Sequence, residues 1–353
     1  VSTYGFNGNP DLKASDVHFS GKSSSFKIQL GEKRYVIKTK LIGRFNVYNV
    51  MAAIGAALSE GVDIKDIQAA LSDHNIKQRN SDVNWTGGAR REKMNGTYSG
   101  APAMMIIDSH MHCGIQNVDQ PFGMIKGYLA QAGIDGACLY APVEDIYDRY
   151  DYYFQDNALW AACRQRANRY LLDIQQEERD IHAYYFVWND FRKDELAKGY
   201  QGVKWHRHDS EPEYHYDDPR CEAFLQEVYR LRLPIVLEES YGNTLALIKR
   251  IDGRTQVIIP HLGGLNGGFY ALFHSGVWNE ENVYADTALA PRREMAAFLE
   301  RYGSDRLIFG SDFPFGIPYS ELRKVRDLNL AEDEYAKVVC GNILKLINPR
   351  GLC

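Results

Sequence analysis

Met105-Ile-Ile-Asp-Ser-His-Met-His112 is the stretch whose reading decides the fold. Three apolar residues run into Asp108, and then Asp108, His110 and His112 alternate with Ser109 and Met111. In an extended strand alternate side chains share a face about 7 Å apart, so two imidazoles at a strand's end converge on one ion. An isolated H-x-H suits equally a buried strand whose histidines only form hydrogen bonds. The residues downstream separate these readings.

From Met104 to Cys353 there are about 250 residues, close to the usual size of a (β/α)8 barrel, roughly 250. Short apolar runs recur there with helical stretches between them, the pattern of parallel βα units. The runs are Met105–Ser109, Gly136–Ala141, Ala183–Trp188, Gly202–His206, Pro234–Glu238, Gln256–Pro260, Asn282–Asp286 and Arg306–Gly310, enough for one closed α/β TIM barrel. Helical spacing predicts Met124–Gln131, Asn157–Tyr170, Pro219–Leu231, Thr244–Ile251, Arg292–Tyr302 and a closing Glu332–Ile347.

In such a barrel the chemistry sits where strands give way to loops. Those positions carry His110 and His112, His206, Glu238, His261 and Asp312, a concentration of metal-ligand residue types at one mouth. Lys204 lies on the same strand face as His206, either as a salt-bridge partner of Glu238 or Glu239 or as a group reaching the metal. Arg207 and His208 follow, with Tyr241 after the next strand; Arg207 and a nearby aromatic face suit a carboxylate-bearing, partly planar substrate. Against that, Trp205 suits packing on a helix and Arg207 suits solvent. Gly263, Gly264, Gly267 and Gly268 lack the arrangement of a dinucleotide site and read as close backbone packing or a mobile rim.

With 41 Lys+Arg against 46 Asp+Glu and a formal net charge of -5, neither a nucleic-acid footprint nor a polybasic membrane patch is indicated. A small-molecule substrate is the expected partner. No apolar run approaches a bilayer span and no leader pattern precedes the chain, so a cytoplasmic, soluble protein is expected. The six cysteines form no C-x-x-C and are expected to be reduced and structural. The chain begins at Val1 in ordinary globular sequence, as a cut end would.

The first 76 residues are of another kind. Ser25–Leu30 and Arg34–Thr39 alternate as a hairpin around Gly31-Glu32-Lys33, followed by helical spacing over Asn46–Ser59 and Ile64–Leu71. Thr3-Tyr-Gly5, Gly43-Arg-Phe-Asn-Val-Tyr-Asn49 and the Ala-rich stretch after them resemble the end of the central ATPase domain of Mur ligases. That resemblance implies that Asn46 and Asn49 lie near an adenine. A Mur ligase needs a Gly-rich phosphate loop ending in Lys and Ser/Thr, which this sequence lacks, so a small α+β fragment without ligase activity is expected, a remnant or a fusion scar. Residues 77–103 are polar and aperiodic and read as a linker, leaving 104–353 as the barrel.

Asp108-Ser-His-Met-His112, Ile258-Ile-Pro-His-Leu-Gly-Gly264, Leu307-Ile-Phe-Gly-Ser-Asp-Phe-Pro314 and Gly341-Asn-Ile-Leu-Lys-Leu346 resemble the amidohydrolase superfamily, specifically its branch of metal-dependent hydrolases and nonoxidative decarboxylases. The resemblance implies that His110 and His112 bind a divalent metal, that Asp312 is both a ligand and the proton acceptor for an attacking water, and that His261 polarises the substrate. It also implies a homodimer. The branch usually carries P-x-x-x-H after its fifth strand, where this chain has Pro234-Ile-Val-Leu-Glu238. Glu238 is therefore expected as a ligand, bridging if two metals bind. A carboxylate there favours harder ions, admitting manganese, iron or magnesium beside zinc, the first expectation. The implied activity is hydrolysis of an amide, lactone or ester by metal-activated water, with decarboxylation of an unsaturated or aromatic acid as the alternative and a noncatalytic binding barrel as a third reading. Peptidoglycan ligation is disfavoured.

Overall fold

β-Branched and aromatic residues gather in short runs after residue 103, and each run becomes a strand. The computed structural model describes residues 4–5, 12–20, 23–30, 33–39, 44–59, 61–72 and 104–347. Two compact units divide after residue 101. The expected linker, residues 77–103, lies outside the described residues, as do the side chains of Asn46 and Asn49.

In the first unit β1 (Tyr4–Gly5), β2 (Leu12–Ser20), β3 (Ser23–Leu30) and β4 (Lys33–Thr39) form one sheet in chain order. β3 and β4 pair antiparallel with Leu30 opposite Lys33, the expected hairpin. Leu12, Ala14, Phe26, Ile28 and Ile37 are buried with Val47, Met51, Ile54, Ile64 and Ile67 of the helices Arg44–Ser59 and Ile64–Ser72. One face of the sheet thus shares a core with both helices. β2 was not expected from the sequence. Its inward residues run Leu12, Ala14 and then Val17 because the register shifts between Ser15 and His18, where Asp16 takes φ +50°. The bulge breaks the period of two that marks a strand.

The second unit is an eight-stranded parallel barrel. Its strands are β5 (Ile107–His112), β8 (Gly136–Tyr140), β9 (Ile181–Phe186), β10 (Gly202–His206), β11 (Ile235–Glu238), β12 (Val257–Ile259), β13 (Val283–Asp286) and β14 (Leu307–Ile308); a small ribbon, β6 (Gly114–Ile115) with β7 (Asp119–Gln120), follows β5. The strands pair in chain order from β5 to β14. Closure comes from backbone bonds just beyond β14: Ser109 N–H to Phe309 O (3.0 Å), His112 N–H to Phe313 O (2.8 Å) and Asp312 N–H to His110 O (2.7 Å). The segment that bears Asp312 is thereby stitched to the strand that bears the histidine pair. All eight expected strands are present.

Helices Pro219–Leu231 and Arg292–Tyr302 have the expected bounds. The one expected over Asn157–Tyr170 runs on, as Ala158–Glu177, with the Asn157 side chain capping the N–H groups of Leu159 and Trp160. The single closing helix expected over Glu332–Ile347 is instead interrupted by a wide-turn segment, Lys337–Gly341. There the Val338 carbonyl is drawn off to accept from Phe309 N–H at 2.8 Å. Helices Phe269–Ser275 and Pro318–Arg326 add to the outer layer. None of the described helices is long and apolar enough to cross a membrane.

Candidate metal centre

β5 delivers His110 and His112 to the C-terminal mouth of the barrel, both buried. Their Nδ1 atoms are spoken for. His110 Nδ1 lies 2.8 Å from Asp286 Oδ2, and His112 Nδ1 lies 3.2 Å from the Ala141 carbonyl. A carbonyl only accepts, so His112 carries its proton on Nδ1. Burial pushes the Asp286 carboxyl up, while the N–H groups of His261 and Ala288 bonded to Oδ1 favour its charge; it sets the same tautomer in His110 when Oδ2 accepts. Both rings therefore turn Nε2 lone pairs inward. Each Nε2 stands 3.3 Å from Asp312 Oδ1. The Lys204 ammonium, 3.3 Å from His110 Nε2, gives this trio one donor, and the remaining repulsion among three acceptors is relieved by a cation placed between them. Ligands about 2.1 Å from a tetrahedral ion are roughly 3.4 Å apart, so the spacing observed fits a divalent metal.

The electrostatics agree with that protonation. Burial, then the Lys204 ammonium, holds the His110 imidazolium well below its usual range, so the ring is neutral. Asp312 is also buried, which opposes its charge; positive charge at His110, a hydrogen bond from His112 and the charge of His261 pull its carboxyl below the usual carboxylate range. With both ligand rings neutral, that positive charge is what a bound divalent ion would supply. Asp312 and His261 both sit in the left-handed region, at φ +58° and +59°. For non-glycine residues this costs of order 1–3 kcal/mol each and persists where the surroundings enforce it. Gly310 lets the chain pass close to the first ligand: a Cβ there would stand 2.9 Å from His110 Cβ.

His261 follows β12, its Nδ1 bonded to Ala288 O at 2.9 Å and its ring stacked on His110 with centroids 5.1 Å apart. Its Nε2 faces Glu238 Oε2 at 3.5 Å. Burial disfavours its charge, but Glu238, with Asp312 and Asp286, holds the imidazolium up to about 9.

Glu238 does not join the first trio. Its Oε2 takes the Lys204 ammonium at 3.0 Å, and both side chains are buried. Lys204 also reaches His110 Nε2 at 3.3 Å and so stands between Glu238 and the trio, as the salt-bridge partner that was one of its two expected roles. Glu238 Oε1 meets His206 Nε2 at 3.1 Å and His208 Nε2 at 2.7 Å.

Arg207 neither touches the pocket nor faces solvent. It is buried, paired with Glu239 at 3.3 Å, and donates to the carbonyls of Asp209, Glu211 and Pro212, so it clamps the loop after β10. The expectation that it meets a substrate carboxylate is corrected by this saturation. Trp205 stacks on Tyr216 and packs edge-on against Phe224 of helix Pro219–Leu231, the bland alternative of its two readings. Tyr241 is partly exposed at the rim, and a Cβ on Gly267 would stand 2.7 Å from its Cβ. Gly263 and Gly267 are closely packed, while a Cβ on Gly268 would meet nothing within 4 Å.

Asp286 escaped the sequence reading as a site residue, and His208 was placed only beside the candidate substrate contacts. Asp286 ends β13, the one late strand end left out of the ligand survey, and its Oδ1 also accepts from the N–H of His261 (2.8 Å) and Ala288 (3.0 Å). His208 repeats with His206 the H-x-H spacing of His110 and His112, a signal present in the sequence.

Comparison with known proteins gives two findings. The family model for amidohydrolase matches residues 107–348, and that for the Mur ligase middle domain matches residues 1–57. The UDP-N-acetylmuramoyl-L-alanyl-D-glutamate–2,6-diaminopimelate ligase of Clostridium botulinum is 37% identical over 71 residues, which are 20% of this chain and 15% of the ligase. The chain thus spans about 15% of the length of this curated relative. Among solved structures, 2,6-dihydroxybenzoate decarboxylase from Rhizobium superposes with TM-score 0.56 at 16% identity, over 70% of this chain and 100% of that one. A putative 2-pyrone-4,6-dicarboxylic acid hydrolase from Pseudomonas putida gives 0.55 at 17%, over 70% and 99%. The 5-carboxyvanillate decarboxylase of Novosphingobium aromaticivorans, complexed with manganese, gives 0.56 at 14%, over 70% and 96%. At these identities the likeness shows the fold.

Proposed function

Because the chain belongs to the amidohydrolase family through residues 107–348, we propose that its barrel is a metal-dependent hydrolase of a lactone, ester or amide. The observation that carries this reading is the pair of inward-facing Nε2 atoms, each 3.3 Å from Asp312 Oδ1. His110, His112 and Asp312 would hold the ion. A divalent metal there supplies Lewis acidity, bringing the pKa of water toward neutrality.

The chain's own groups do the rest. Asp312, ionised and at the mouth, accepts the proton of the attacking water and returns it to the leaving group. His261, with Nδ1 fixed on Ala288 O, presents Nε2 as a donor to the oxygen on which charge develops. Asp286 holds the His110 ring and, through His261 N–H, the backbone of the second histidine, so one carboxylate aligns both. The small-molecule substrate enters at the rim formed by Tyr241, Leu289 and Phe315, all exposed.

Nonoxidative decarboxylation of an aromatic or unsaturated acid is the second reading, supported by the fold shared with two decarboxylases. The test uses the full chain, stripped with chelator and reloaded with zinc or manganese, against lactones, esters, amides and aromatic acids. Hydrolysis lost on stripping and restored on reloading is expected. Carbon dioxide release without hydrolysis would replace the first reading by the second, and activity unchanged in His261→Ala would favour a noncatalytic barrel.

A further inference from the structure

We infer that the barrel mouth carries a second divalent-cation site, formed by His206, His208 and Glu238 and separate from the trio of His110, His112 and Asp312. His206 is the last residue of β10, and Arg207 N–H continues the ladder by donating to Glu238 O at 3.0 Å. The extended geometry thus carries past the strand's end, and both imidazoles fall on one side. Their centroids are 4.8 Å apart, and their Nε2 atoms stand 3.1 Å and 2.7 Å from the same oxygen, Glu238 Oε1. One nitrogen from each ring and one carboxylate oxygen all lie within 4.8 Å of one another. Opening this triangle by less than about 1 Å gives the roughly 3.4 Å separations of ligands around a tetrahedral ion.

A second carboxylate stands behind both rings. Glu211 is buried, with Oε2 3.8 Å from His206 Nδ1 and Oε1 3.5 Å from His208 Nδ1. These separations are longer than hydrogen bonds, and Tyr147 Oη also lies 3.5 Å from His206 Nδ1. On ion binding Glu211 would close on the rings, since a carboxylate on the far nitrogen orients a ligating imidazole and raises its basicity. Glu211 is itself held by Tyr147 Oη–H at 2.7 Å and by Arg149 Nε–H at 2.7 Å. Arg149 Nη2 also comes within 3.3 Å of His208 Nδ1. If Arg149 donated there, His208 would carry its proton on Nε2 and merely hydrogen-bond Glu238, which is the arrangement the experiment must exclude.

The outer ligand is reachable. The His208 side chain is 32% exposed while His206 and Glu238 are buried, so an ion enters from the His208 side and is fixed from within. Glu238 Oε2 stays on Lys204, which keeps the carboxylate ionised and leaves Oε1 to the cation. Two nitrogens and one oxygen suit zinc, and manganese less strongly. The inference goes beyond the hydrolase reading and does not depend on an ion at the first site.

Full-length protein, stripped and then equilibrated with zinc, is assayed for metal per chain by inductively coupled plasma mass spectrometry and titrated against a chromophoric chelator. Two ions per chain are expected, one in His208→Ala, one in His112→Ala and none in the double variant. Glu211→Gln is expected to weaken the second ion 10- to 100-fold and leave the first unmoved. A His208→Ala protein that binds as many ions as wild type overturns the inference, as does a His112→Ala protein that binds none. One ion in wild type that His208→Ala removes supports this site and counts against the first; one that only His112→Ala removes does the reverse. Should circular dichroism find His208→Ala misfolded, Glu211→Gln decides, and an unchanged affinity for the second ion overturns the proposal.

Discussion

Replacing Asp286 by asparagine tests how the first site is assembled. Asp286 Oδ1 is committed to the N–H groups of His261 and Ala288, at 2.8 and 3.0 Å, so an asparagine keeps its carbonyl oxygen on that side. Its amide nitrogen then faces His110 Nδ1, where Asp286 Oδ2 now sits at 2.8 Å. A donor at that position obliges Nδ1 to accept, which moves the imidazole proton to Nε2, the atom 3.3 Å from Asp312 Oδ1. A ligand with a proton on its donor atom does not bind. Loss of such a supporting contact weakens metal binding 10- to 100-fold, or about 1.4 to 2.7 kcal/mol. Asp286→Ala is the poorer probe, since two buried N–H groups would lose their acceptor at about 1–3 kcal/mol each. The assay is a chelator competition with zinc in a His208→Ala background, where one site is titrated. An Asp286→Asn protein with unaltered affinity would refute the tautomer argument and the ligand role of His110 that rests on it.

Asp312→Asn should lower kcat by about 100- to 10,000-fold, the usual worth of a positioned proton acceptor, on whichever substrate the wild type hydrolyses. Arg207→Ala should leave KM within twofold yet lower unfolding free energy by up to about 3–5 kcal/mol, because Glu239 would keep the Tyr216, Asn243 and Ser240 donors but stay buried without a cation; denaturant titration reads the loss, and a tenfold rise in KM at unchanged stability would return Arg207 to the substrate. Asp145→Asn should stabilise the protein at high pH. Burial of Asp145, only partly offset by the Asn117 N–H, pushes its carboxyl up to about 6, above the unfolded value of roughly 3.9. The native state therefore holds the proton more tightly, and wild type loses stability as pH rises from about 4 through 6, by about 3 kcal/mol in all. Unfolding curves of the two proteins should coincide below pH 4 and separate by pH 8.

The barrel was legible because each strand is an apolar run buried on both faces, with helical spacing between the runs. Gly202–His206 could be read to the residue. Bulged β2 was not legible, since a bulge is a backbone event that shifts the alternation halfway along. At the site, residue type and position at a strand end sufficed for His110, His112 and Asp312, which the chain brings together. Glu238 was recognised as a site residue, but its association with His206 and His208 depends on where Lys204 comes to rest, and side-chain competition of that kind is invisible in one dimension. Arg207 misled for the same reason: its carbonyl partners are set by the turn of the loop after β10. The branch of chemistry, hydrolysis or decarboxylation, is decided by a substrate's fit at the rim.

The account stands on one ion shared by residues two hundred positions apart. Anomalous scattering from crystals of the zinc-loaded full chain tests it most directly. A peak about 2.0–2.2 Å from His110 Nε2, His112 Nε2 and an Asp312 carboxylate oxygen is expected. Density at full loading that leaves those three atoms without a metal among them would contradict it.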